Sequence, residues 1–217
     1  MPSTSMRRSL ADRRARGDSG ATLVELAIVG LLVFTMFLAV FEFGLLFRDN
    51  LTTNDAIADA TRIGAIMGPD VVDGRNADYE VVKAVREGLS SLNGADVRYI
   101  VVFRASGGGQ DAIDQVPQTC KNGTSIANIC NAYPADAAFA AIEADDTGYF
   151  TCPATPTAKI ACRYDAKERK DGPTSAQVET LGVYIRIERD GYTGLFANRW
   201  TIERASTIRL EPGLTDP

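Results

Sequence analysis

Histidine is absent from the 217 residues, tryptophan occurs once and cysteine four times. Without an imidazole the chain lacks the commonest general base, the usual hydrolytic triads and zinc sites with His ligands. There is no Gly-x-Ser-x-Gly and no close pair of metal ligands. An enzyme would therefore have little to work with, although carboxylate chemistry needs none of these, and no metal or other cofactor is expected. Basic charge is also scarce on the body of the chain. Beyond residue 20 there are 18 Lys and Arg against 26 Asp and Glu. Nucleic acid is thereby excluded as a partner, since it requires a basic patch on the folded domain. The glycine run Ser106-Gly107-Gly108-Gly109 lacks the Lys-Ser/Thr of a phosphate loop and reads as a flexible turn.

What is present begins with "RGDSGATLVELAIVGLLVF", residues 16–34. Residues 1–20 carry five arginines against Asp12 and Asp18. Residues 21–47 follow as an apolar run whose only charges are Glu25 and Glu42. As a helix this run would be ~40 Å long, enough to cross a hydrocarbon core of ~30 Å. Arginines beside an apolar span stay cytoplasmic, so a single pass with the N-terminus inside and the C-terminal body outside is expected, with membrane lipid as a partner. A cleaved secretory signal has a shorter apolar region ending in a small-x-small site, and none follows before Arg48. Glu25 has two readings. In an uncleaved anchor it is an interfacial carboxylate one turn inside the cytoplasmic face. Alternatively, a cut between Gly20 and Ala21 would place a new ammonium at the head of the helix, and a neighbouring copy's Glu25 would neutralise it. Such pairing offsets part of the cost of burying both charges and fixes the axial register between subunits.

The residues "SGATLVEL" (19–26) resemble the processing site of type IV pilin-like proteins, cut by a prepilin peptidase after Gly with Glu at mature position five. "FEFGLLFRDNLTTNDAIADATRIGAI" (41–66) resembles the membrane-exit segment of TadE-like proteins, which are minor pilins or pseudopilins of the Tad (Flp) pilus system. "STIRLEP" (206–212) is similar to that family's C-terminal strand. The resemblance covers residues ~17–67 and ~178–212. It departs at Leu26, where Tad processing sites commonly place an aromatic, so the identity of the peptidase stays open. It implies processing after Gly20, a role in initiating, anchoring or tipping a pilus, and hence surface adhesion. The implied partners are the major Flp pilin and other minor pilins, the prepilin peptidase and the inner-membrane assembly platform. The motif Glu42-Phe43-Gly44 marks the exit from the membrane. Glu42 is either an interfacial carboxylate there or a contact for another subunit, with Gly44 allowing close helix approach.

Beyond the span, Ala56, Ile57, Ala60, Ile63, Gly64 and Met67 form a stripe at helical spacing that Gly68-Pro69 ends. This predicts an amphipathic stalk helix over 48–68. Val82, Val85, Leu89 and Leu92 predict a second helix over 78–92. "DVRYIVVFRA" (96–105) reads as a strand, and "TLGVYIRIERD" and "RWTIERASTIRL" alternate with the period of antiparallel strands, Arg204 interrupting the second. The fold class is α+β: a long N-terminal transmembrane and stalk helix, then a small antiparallel sheet packed on helices, with a disulfide-bearing insert. The domains are a basic prepilin-like leader (1–20), the transmembrane helix (21–47), the stalk (48–68) and an extracytoplasmic head (69–217) whose irregular insert spans 106–177. Within the insert one short helix is expected near 135–144, and the acidic run at 143–147 reads as a solvated turn. Cys120, Cys130, Cys152 and Cys162 lie outside the membrane and favour disulfides. Three connectivities are open, and the matched nine-residue spacings favour the local pairs Cys120–Cys130 and Cys152–Cys162; four-thiolate zinc is the rival. Three functions compete: a minor pilin or pseudopilin, an uncleaved N-in membrane-anchored binding module and, least favoured, an extracytoplasmic enzyme.

Overall fold

The computed structural model describes the backbone of residues 6–107, 111–153, 159–172 and 178–210, with side chains from residue 20 onward. The side chains of the five N-terminal arginines, Gly108 and Gly109 of the glycine run, and Glu211-Pro212 of the terminal motif lie outside the described residues.

No proline falls between Pro2 and Pro69, and this stretch is one helix, α1 (Met6–Met67). Gly68 ends it with φ +52°, its N–H donating to Gly64 O at 3.1 Å. A left-handed glycine followed by proline satisfies the last carbonyls and forbids continuation. The chain divides into two compact units, residues 1–46 and 47–217. In the first, side chains from Gly20 to Phe37 are all exposed. A helix apolar on every side and uncovered by protein has the character of a membrane span. Over its most apolar stretch the mean hydropathy is 2.6, long and apolar enough to cross a bilayer.

The second unit is an α+β head built on residues 47–67 of α1. After α1 come α2 (Ala77–Gly88), β1 (Ala95–Ala105), α3 (Gln118–Lys121), β2 (Cys130–Pro134), α4 (Ala135–Glu143), α5 (Thr147–Phe150), β3 (Thr180–Asp190) and β4 (Arg199–Arg209). Asn76 caps α2, its side chain accepting from Tyr79 N at 3.1 Å, with Asp78 and Glu80 in the first turn where the helix dipole favours them. The helix is shorter than its apolar spacing predicts: Leu89 and Leu92 are buried in the turn that follows it.

The four strands are antiparallel in the order β2-β1-β3-β4. One sheet face, with Ile100, Val102, Leu181, Val183, Ile185 and Ile187, closes the main core against α1 and α2. Ala56, Ile57 and Ala60 supply the stalk side of that core. The stripe is rotated slightly from its sequence reading. Ile63 is exposed while Thr53 and Thr61 are buried, each hydroxyl satisfied by the carbonyl four residues back. Helix packing is close: a Cβ built on Gly88 would lie 2.6 Å from Ala56 Cβ.

The other sheet face carries Val101, Phe103, Ala105, Ala132 and Tyr184, covered by Val116 and Cys120 of the insert. Because β1 is covered on both faces, Ile100 to Phe103 are all buried and read as a continuous apolar run rather than an alternation. Strand β2 lies within the insert, where the sequence shows no strand pattern. Arg204, the interruption in β4, reaches across to donate to Asn50 of α1.

Candidate functional site

No cluster of three or more His, Cys, Asp or Glu suited to a metal occurs among the described residues, and the four cysteines are spent on disulfides. Cys120 pairs with Cys130 and Cys152 with Cys162, the local connectivity of the three that four cysteines allow. The first closes α3 onto the start of β2, both residues buried under the second sheet face. The second ties the end of α5 to the turn at Ile160–Cys162. A loop of this length contributes roughly 3 kcal/mol by removing unfolded-chain entropy.

Between the disulfides and α2 lies a buried polar knot. The Asp78 and Arg169 side chains are buried and paired. Asp78 Oδ2 also accepts from Tyr133 Oη at 2.7 Å and Asn131 Nδ2 at 2.8 Å. Asn131 in turn bonds the backbone of Tyr164, donating to its carbonyl and accepting from its N–H, each at 2.8 Å. Arg169 stacks 4.6 Å over the Tyr164 ring. Burial, reinforced by the Asp78 charge, pushes the Tyr133 phenol well above its usual range, so it stays a donor. The knot joins α2, β2 and the irregular segment around 164–169. Its job is positional, since the carboxylate is buried and held by three donors from Arg169, Tyr133 and Asn131. The acidic run is the solvated turn its sequence reads as, with residues 143–146 all exposed, and its carboxylates are also hydrogen-bonded. Asp145 accepts from Tyr79 Oη at 2.6 Å and Arg75 at 2.9 Å, Glu143 pairs with Arg86, and Asp146 caps α5. Hydrogen bonds from Tyr79 and Arg75 hold Asp145 below the usual carboxylate range.

The described residues outline a cleft of about 790 Å³ beside β1 and β3, lined by Arg104, Arg169, Lys170, Asp171 and Glu179 among others. Its two arginines already pair with Glu179 and Asp78, which leaves little net charge to attract a ligand.

The residues singled out for processing and assembly lie along α1. Gly20 and Ala21 are exposed within unbroken helix. Glu25 is also exposed and stands four residues after Ala21, on the same helix face one turn away. Glu42 is buried, while Phe43 is exposed and a Cβ on Gly44 would meet only open space. At the start of the head, Asp49 is buried and pairs with Arg189 at 3.0 Å. Tyr192 Oη donates to the same carboxylate at 2.9 Å. Sequence reading missed both Asp49 and Asp78; each looks like an ordinary polar residue of an amphipathic helix, and its partner lies far along the chain.

Residues 20–62 match the model of a family described as TadE-like protein, the family that the Gly20 and Glu42 segments resemble. No curated protein matches the chain, and no solved structure does.

Proposed function

From a TadE-like N-terminal segment we propose that the chain is a minor pilin or pseudopilin of a Tad (Flp) pilus, inserted N-in, cut after Gly20 and held in its assembly by helix packing. The observation that carries this reading is the family match itself, which opens at Gly20 and runs through Glu25 and Glu42. Processing there would leave Ala21 as a terminal ammonium at the head of a helix with exposed apolar sides. Glu25 of a neighbouring subunit neutralises that ammonium and sets the axial register. The basic leader supports insertion with the head outside. The disulfides support the same side, because such bonds persist in oxidising compartments. On this reading the head's role is to occupy a place in the assembly. Partners on this reading are the major pilin, other minor pilins, the processing peptidase and the inner-membrane platform.

Intact-mass and N-terminal analysis of protein from its native envelope tests the proposal. A mature chain beginning at Ala21 supports it, and Glu25→Ala should then be processed yet fail to enter the assembly. A mature chain still carrying Arg7 to Arg16 would overturn it in favour of an uncleaved, membrane-anchored binding module.

A further inference from the structure

We propose that the loop between β3 and β4, residues 191–198, is a second membrane contact, with Leu195 and Phe196 seated in the interfacial layer of the bilayer that α1 leaves. The inference rests on residues 21–47 being an inserted span. Its geometry lies wholly within the head. Strand β3 runs antiparallel to residues 47–67 of α1. Near the strand's start, Leu181 lies against Gly64, where a built Cβ would be 2.7 Å from Leu181 Cδ2. At its end, Arg189 pairs with Asp49. The strand therefore heads toward the point where the chain emerges from its apolar run at Phe47, and the loop turns there. Asp49 is two residues beyond Phe47, or ~3 Å along a helix. Since the loop is tied to Asp49 itself, its height is set by the covalent chain and the Asp49 contacts.

The tie is firm. Asp49 and Arg189 are both buried, Tyr192 bonds the same carboxylate, and the Arg189 guanidinium stacks 4.1 Å over the Tyr192 ring. The loop nevertheless presents large apolar side chains outward: Leu195 is 64% exposed and Phe196 43%. Phe47 and Leu51 of α1, at the same end of the head, are 65% and 49% exposed. A loop tied to the core through Arg189 and Tyr192 that exposes Leu195 and Phe196 is suited to the headgroup–acyl boundary. Aromatic and aliphatic side chains gain there while a tyrosine hydroxyl stays satisfied.

Depth-dependent quenching in the full-length protein tests this. Leu32→Cys, Leu195→Cys and Val71→Cys, each carrying a nitrobenzoxadiazole label, are reconstituted in phosphatidylethanolamine–phosphatidylglycerol vesicles; the native cysteines are protected as disulfides. Doxyl groups are placed shallow or deep on the lipid chains. The label at Leu195 should be blue-shifted and lose emission to the shallow doxyl. The label at Leu32 should lose emission to the deep one. Val71 lies beyond the other end of α1, ~27 Å or more from Asp49 along the helix, and its label should be quenched by neither. If Leu32 is quenched but Leu195 behaves like Val71, this inference fails alone. It fails equally if Leu195 is shielded from aqueous iodide yet untouched by doxyl lipid, because a protein surface then covers it. If Leu32 is unquenched, the spanning segment itself fails, and the inference with it.

Discussion

Replacing Gly88 by alanine sets two effects of similar size against each other, and the structure decides the sign. Alanine is favoured over glycine in a helix interior by ~1 kcal/mol, so Gly88→Ala near the end of α2 should stabilise if only local propensity mattered. The added Cβ, however, would sit 2.6 Å from Ala56 Cβ and 3.0 Å from Ala56 Cα. Carbon atoms prefer ~3.5–4.0 Å, so α2 would have to move from α1 by about 1 Å. Ala56 cannot turn aside, because the clashing atoms are its Cα and Cβ. Overpacking of this kind costs ~1–3 kcal/mol, leaving a net destabilisation of up to ~2 kcal/mol. Ala56→Gly removes the struck Cβ at a cost of ~1 kcal/mol in helix propensity. The double variant should therefore be less destabilised than the sum of the singles, with a coupling of ~1–2 kcal/mol. Urea unfolding of the full chain in detergent, followed by the fluorescence of its single tryptophan, Trp200, measures all four corners of the cycle. Additive effects within ~0.5 kcal/mol, or a stabilising Gly88→Ala, would refute the close approach of α1 and α2.

Asp78→Asn should cost ~3–5 kcal/mol, because it strands a buried Arg169 without its counter-charge; the same urea titration reads it, and an unchanged midpoint would dissolve the knot as a structural element. Reducing either disulfide, or replacing a pair with alanine, should lower stability by ~3 kcal/mol, checked by thiol titration alongside the midpoint. On acidification, Asp145 and Glu188, held below the usual carboxylate range by hydrogen bonds from Tyr79 and from Arg98 respectively, contribute stability that is present above the ordinary carboxyl values and lost as pH falls through their depressed ones. At the other extreme, Tyr133, Tyr164 and Tyr184 are raised chiefly by burial. The stability they confer is complete below the ordinary phenol value of ~10 and declines above it. Phenolate absorbance for these three should appear only with unfolding, and free titration of all seven tyrosines in the folded chain would contradict their burial.

Those features written in local order were legible without coordinates. The span needs only an uninterrupted apolar run. The helix beyond the span shows in the spacing of Ala56, Ile57, Ala60 and Gly64 up to Gly68-Pro69, and β3 announces itself because Leu181, Val183, Ile185 and Ile187 face one core in strict alternation. Strand β2 is hidden in the sequence because both its faces are covered. Cys130 and Ala132 point to one cluster and Tyr133 to the other, so its five residues carry no polar–apolar period. The end of α2 is equally hidden, because Leu89 and Leu92 keep a helical spacing even though they are buried from a turn.

What the sequence by itself determined, then, is the set of properties carried by near neighbours: an apolar helix with a basic segment before it and a carboxylate at position 25, an order of helices and strands after it, and cysteines in two matched loops. Tertiary structure alone decided which charges are buried together. Asp49 meets Arg189 and Asp78 meets Arg169, pairs separated by most of the head's length, and whether a carboxylate is exposed or locked depends on which distant segment lies over it. It also decided where the β3–β4 loop sits, because only the antiparallel passage of β3 along α1 brings Leu195 and Phe196 back to the end where the chain leaves its apolar run. Local preferences set the direction of each segment, whereas packing between segments remote in the chain sets which ends meet.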